Sequence, residues 1–309
     1  METKQITNHL LMVRPAHFGY NEETAVNNAF QSQDPNLSAS EVQEKARAEF
    51  DGFVDKLRAA GVVVHVVEDT EAPVKPDAIF PNNWVTFHED GRVATYPMHA
   101  VTRRNERRED ILAQLADTFE VGERLHFEGA ESENRFLEGT GSLILDRPNG
   151  LAYACLSPRT GRALLNEYCA RMGYTAVPFT AVDGGGQQIY HTNVMMALGK
   201  DFVVICLAAV PDADEQAALL SHFERTGKAV ITITLEQMMS FAGNMLQVEG
   251  AGGQPYLVMS EQAYRSLSPE QVARIEAHTA ILHAPLYTIE QHGGGSARCM
   301  MAEVFLPVR

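Results

Sequence analysis

Five similar α/β units set around a common axis, an α/β-propeller with pseudo-fivefold symmetry, is the fold predicted by three features of this sequence. Short motifs begin near residues 80, 137, 184, 241 and 293, roughly every 50 residues, and self-similarity at such a period marks an array of supersecondary units. Around each motif the order repeats: a helical period and an apolar strand before it, then a strand, a turn and a second strand. The last unit ends one strand short, and the orphan strand at residues 10–14 can supply it and close a ring. Each unit reads ββαβ. No Pro/Gly/Ser linker or low-complexity stretch divides the 309 residues, so a single domain over 1–309 is expected.

The first helix opens with Ser38 or Ser40 as N-cap, places Val42, Ala46, Phe50, Phe53, Val54 and Leu57 at helical spacing, and stops at Gly61. The β-branched run 62–67 is a strand. A loop holding Pro73 and Pro76 leads to Ile79-Phe80-Pro81-Asn82-Asn83-Trp84, then a strand, a turn at 89–91 and a strand over 92–97. The second unit has a helix over 105–118, a strand over 121–127, the motif Phe136-Leu137-Glu138-Gly139-Thr140-Gly141, and strands over 142–146 and 151–156. The third has helix 160–172, strand 174–179, the motif Asp183-Gly184-Gly185-Gly186, and strands 189–198 and 202–207. The fourth has helix 214–225, strand 229–234, the motif Phe241-Ala242-Gly243-Asn244, and strands 245–248 and 256–259. The fifth has helix 269–278, strand 280–285, and the run from His292 to Met301, followed by a strand over 299–305.

Composition narrows the function. Hydrophobic residues make up 45% and charged residues 21%, as in an ordinary globular chain. With 25 Lys and Arg against 40 Asp and Glu, the net charge of −15 repels nucleic acid and anionic membrane. Only a short apolar run, Leu10 to Val13, lies near the start, too short for a membrane span or a signal peptide. Four dispersed cysteines make neither a disulfide framework nor a zinc cluster, and a reducing, cytoplasmic setting fits them. Cys155, Cys169 and Cys206 lie in apolar patterns and read as core.

Cys299 is different. Gly293, Gly294 and Gly295 clear the approach to it, Ser296 and Ala297 are small, and Arg298 puts a cation beside the thiol. Taken alone, the run also fits a glycine-rich turn with a small core cysteine. The recurrence of motifs carrying Glu138 and His191 favours a reactive thiol. If the motifs converge, Cys299, His191, Glu138, Asn83 and Asn244 are neighbours. Strand alternation would put His191 and Asn193 on one face. A histidine opposite a thiol supplies its acid–base partner.

These residues carry a resemblance over essentially the whole chain. Phe80-Pro81-Asn82-Asn83, Leu137-Glu138-Gly139-Thr140-Gly141, His191-Thr192-Asn193 and the glycine run before Cys299 resemble the guanidino-group-modifying, or pentein, superfamily. The FPNNW and LEGTGSL motifs are most similar to its citrulline-utilisation hydrolases. The resemblance implies that Cys299 attacks a guanidino or ureido carbon, His191 moves the proton, and Glu138 grips substrate nitrogens. It implies neither metal nor organic cofactor.

Arginine deiminases of the superfamily typically carry Asp where Asn83 and Asn193 stand. Neutral amides suit a ureido group, which both donates and accepts, better than a guanidinium. The expectation is therefore a citrulline hydrolase yielding ornithine, ammonia and CO2. A deiminase or dihydrolase drawing on other carboxylates such as Asp183, an amidinotransferase, or a non-catalytic binding pentein are the alternatives. Arg14, Arg103 and Arg159 are candidates to hold the substrate carboxylate, with Asn21 a weaker one. The expected partner is a small amino acid, not nucleic acid or membrane, and a homodimer stays open.

Overall fold

The computed structural model of the protein describes residues 3–309. Its strands form five three-stranded sheets. In the first, β1 (His9–Arg14) runs parallel to β2 (Val63–Glu68). The second holds β3 (Val85–Phe87), β4 (Val93–Thr95) and β5 (Arg124–His126). The third holds β6 (Ile144–Asp146), β7 (Leu151–Cys155) and β8 (Thr175–Phe179). The fourth holds β9 (Met196–Leu198), β10 (Phe202–Ile205) and β11 (Ala229–Thr232). The fifth holds β12 (Leu246–Glu249), β13 (Pro255–Ser260) and β14 (Ala280–Ala284). In these four the first strand is antiparallel to the second, and the second is parallel to the third. Finally β15 (Ala302–Glu303) returns to lie antiparallel to β1, with Leu10 opposite Glu303 and Leu11 opposite Ala302. The first sheet thus has the same pattern, assembled from both ends of the chain.

A parallel pair needs a crossover, and in each sheet a helix supplies it. The longest, Ala39–Ala59, joins β1 to β2 and buries Val42, Ala46, Phe50, Phe53, Val54 and Leu57. Fully burying each of the larger side chains contributes about 1.5–3 kcal/mol. Ser38 and Glu41 cap its first turn reciprocally, which stabilises it by about 1 kcal/mol.

Three expected strands are shorter than the apolar runs that suggested them. Residues Gly139–Ser142, Thr192–Val194 and Ala297–Met300 are short helical turns, and β6, β9 and β15 begin only after them. All three turns are buried on every side, so their composition mimics a core strand. The alternation expected to place His191 and Asn193 on one strand face therefore does not apply. The run Asp183 to Gly186 is an exposed turn, in which Asp183 Oδ1 accepts from Gly185 N at 2.8 Å and Gln187 N at 2.9 Å. Its glycines serve that turn, and the buried turn of this unit is the one beside His191.

Candidate active site

Five tight turns, one ahead of the first strand of each sheet, are stitched neighbour to neighbour. Thr140 Oγ1 donates to Asn82 O at 3.3 Å, and Thr192 Oγ1 to Ser142 O at 2.6 Å. Asn244 Nδ2 donates to Asn193 O at 2.9 Å, and Arg298 N to Asn244 Oδ1 at 3.0 Å. Glycine is required where two turns meet. A Cβ on Gly141 would stand 2.5 Å from Asn83 Nδ2 and 2.7 Å from His191 Nδ1. At Gly294 the backbone takes φ 63°, ending the helix Tyr287–Gly293 and turning the chain toward Cys299.

The Cys299 sulfur is 3.3 Å from Asn193 Nδ2 and 3.3 Å from Asn244 Nδ2, so two amide N–H groups point at it. Opposite lies His191, whose Nε2 is 2.8 Å from Glu138 Oε2. Burial pushes the His191 imidazole down to about 4, and Glu138 only partly offsets this. For Glu138, burial acts upward, but Arg159, the hydrogen bond from His191 and Arg103 together hold the carboxyl well below its ordinary range. The pair is thus a neutral imidazole on a carboxylate. An ionised carboxylate only accepts, so Nε2 carries the proton and Nδ1 the lone pair. The other oxygen of Glu138 accepts from His99 N at 2.8 Å.

Two buried arginines flank this pair. Arg159 Nη1 is 3.7 Å and Arg103 Nη1 4.0 Å from Glu138 Oε2. Arg103 forms a two-pronged ion pair with Glu106 at 2.8 and 2.9 Å, and donates to Asn83 Oδ1 at 2.8 Å. Arg159 lies over the Tyr190 ring at 4.9 Å and donates to Asn27 Oδ1 and to Thr24 O. Cys299, His191, Asn83, Arg103, Arg159 and Asp77 line one narrow pocket.

Comparison with known proteins decides the family. Residues 14–306 match the family described as N,N dimethylarginine dimethylhydrolase, eukaryotic. The chain belongs to that family. No curated protein sequence matches it. Among solved structures, it is similar to the substrate-bound N-terminal domain of ArgZ, an arginine dihydrolase from the ornithine–ammonia cycle in cyanobacteria. That likeness has a TM-score of 0.74 at 16% identity and covers 97% of this chain and 98% of that one. AgrE in complex with ornithine and NAD+ gives 0.74 at 17% identity, over 97% of this chain and 40% of the larger one. A dimethylarginine dimethylaminohydrolase adduct with S-methyl-L-thiocitrulline gives 0.65 at 14% identity, over 97% and 100%. At such identities these neighbours show the fold, that of the pentein superfamily. Membership of the dimethylarginine dimethylhydrolase family makes the chain an enzyme homologous to hydrolases of linear C–N bonds.

Within this family member, several sequence expectations need correction. Arg14 is not in the pocket: at the end of β1 it pairs with Asp51 at 2.7 Å and Glu68 at 3.4 Å, partly exposed. Arg298 does not stand over the thiol either. Its side chain turns away, to Met301 O at 2.8 Å and Glu303 at 2.7 Å, and lines a different cavity. Asp183 stays in its exposed turn. Asn21 lies behind the pocket wall, donating to Asp77 at 2.7 Å.

Four pocket residues went unnoticed in the sequence: Asp77, Tyr190, Thr24 and Asn28. Tyr190 OH and Asn28 Nδ2 both donate to Gly294 O, at 2.7 and 3.2 Å, and so hold the glycine run. The signal was faint: Asn21, Thr24, Asn28 and Gln31 are buried polar residues three or four apart. Among the described residues, no three His, Cys, Asp or Glu side chains group as metal ligands would, and no helix is long and apolar enough to cross a membrane.

Proposed function

We propose that this protein is a cysteine-dependent hydrolase of the ureido group of citrulline, releasing ornithine, ammonia and CO2. The observation that carries this reading is the pairing of amides with arginines around the thiol. Asn83 already gives its carbonyl to Arg103, and Asn193 gives an N–H to Cys299. Glu138, the carboxylate nearest the reacting pair, is engaged by His191, His99 N and two guanidiniums. A substrate guanidinium would bring a third cation into this space, where Glu138 is already engaged, which is costly. A neutral ureido group avoids that cost, and amides can both donate to its C=O and accept from its N–H groups.

In this reading the thiol of Cys299 gives its proton to neutral His191 and attacks the ureido carbon. His191 returns the proton to the side-chain nitrogen, the C–N bond breaks and ornithine leaves, with a carbamoyl group on sulfur. His191 then takes a proton from water as it attacks that carbonyl. The C–S bond breaks, and the carbamic acid released falls apart to ammonia and CO2. Asn193 and Asn244, whose N–H groups converge at the sulfur, are placed to steady the oxyanion. Arg159 is the fork for the α-carboxylate, reached by releasing Asn27, and Asp77 the partner for the α-amine. No step calls for a metal or organic cofactor. We read the five sheets as blades of one closed propeller, a single domain at work in the cytoplasm.

Arginine dihydrolysis is the second reading, supported by likeness over nearly the whole length of both chains to an arginine dihydrolase domain. The two are separated by assaying the purified protein with L-citrulline and L-arginine in parallel, following ammonia and the amino-acid product. Ornithine from citrulline, with arginine inert, is expected. Ornithine and ammonia from arginine would establish the dihydrolase instead, and citrulline as the end product would establish a deiminase.

A further inference from the structure

A second cavity lies off the active site, lined by Arg147, Arg298, Glu303, Gln5 and Thr140 together with apolar residues such as Ile144. Arg147 follows β6 and is 7% exposed. It has no carboxylate within ion-pair distance among the described residues, and Glu303 acts on it only from longer range. Nη1 is 3.4 Å from His88 Nδ1, and the guanidinium lies over Phe305 at 3.9 Å. Burial, and then Arg147 itself, keep His88 uncharged. Arg298 is 4% exposed, and it takes up Glu303, the cavity's single carboxylate, at 2.7 Å. Two guanidiniums and one carboxylate leave one positive charge unbalanced. A buried charge without a counter-ion is expensive, and arginine presents a fan of donors to whatever offsets it.

We propose that this cavity binds a small monovalent inorganic anion, chloride under ordinary conditions, between Arg147 and Arg298. The cavity volume of about 20 Å3 admits an ion close to a water molecule in size. Gln5 is already engaged: its Oε1 accepts from Arg147 N at 2.9 Å, and its Nε2 donates to Leu145 O at 2.9 Å. The anion would tie the turn after β6 to the turn carrying Cys299, bracing the thiol's backbone from behind without touching substrate.

The test uses the intact protein and does not depend on which substrate it takes. Crystals soaked in sodium bromide should show one anomalous peak between Arg147 and Arg298. In solution, replacing gluconate by chloride at constant ionic strength should raise the melting temperature by roughly 2–4 °C. Arg147→Met, which keeps the apolar stem, should abolish that dependence. No bromide in the cavity, or the same chloride response in Arg147→Met, would overturn the proposal. Should the variant fail to fold, the bromide result on the natural chain decides.

Discussion

Arg298 and Cys299 are adjacent in sequence and serve different cavities. The sulfur of Cys299 meets the amides of Asn193 and Asn244 at 3.3 Å, while Arg298 reaches the other way to Glu303 at 2.7 Å. The short turn Ala297–Met300 separates the two side chains. What surrounds the thiol is therefore a pair of amides rather than its neighbouring guanidinium.

Cys299→Ala should lower turnover by at least about a thousandfold. Because the side chain is small and packed beside polar groups, the melting temperature should move little. Steady-state rates and a thermal melt on the same sample check both. Appreciable residual turnover would exclude a covalent thiol intermediate.

Charge at the two amides should set substrate preference. Asn83→Asp would offer Arg103 a carboxylate, and Asn193→Asp would face Cys299 with an acceptor that has no N–H to give. The double variant should favour arginine over citrulline in competition binding, by on the order of tenfold or more. An unchanged ratio would remove the case for a neutral pocket.

The arginines divide into pocket and surface. Arg159→Lys keeps the charge and loses the fork, so KM for an amino-acid substrate should rise about a hundredfold, with kcat less affected. Arg14→Ala breaks an exposed pair with Asp51, and activity should stay within about twofold. The reverse ranking in kinetics would move the carboxylate site.

Two buried groups should impose opposite pH dependences on stability. His191 titrates near 4 when folded, against 6.5 when free. Between those values the unfolded chain binds a proton that the folded one does not, so stability falls as the pH drops, by up to about 3 kcal/mol. Glu138, held low, adds to that loss at still lower pH.

Glu290 runs the other way. Burial lifts it to about 7, one oxygen takes the Ser296 hydroxyl at 2.6 Å, and the other has no hydrogen-bond partner. Its contribution is complete below about 4.5 and is lost as the pH rises to 7. Glu290→Gln should therefore stabilise the protein at pH 8 by about 1–3 kcal/mol and leave it nearly unchanged at pH 4. Urea unfolding at the two pH values measures the difference; equal effects at both would contradict a protonated buried carboxyl.

By itself the sequence determined the repeat: helical and strand periods record which faces are buried locally, and the recurring motifs marked where the turns lie. It also singled out Cys299, His191, Glu138, Asn83, Asn193 and Asn244, because uncommon residue types at equivalent positions of a repeat are brought together by the symmetry of the units. It read the turn at 192–194 as strand and began the strands at 142 and 299 inside the turns there, since residues enclosed on all sides lose the polar–apolar alternation that distinguishes one from the other. Only the tertiary structure decided which arginines face the pocket. Arg159 meets Asn27 across 132 residues of chain, whereas Arg14 finds Asp51 on the surface. An arginine's partner is fixed by contacts between distant segments and leaves no local period to read. The same holds for Asp77, and for Arg298, whose direction was set by one turn of backbone.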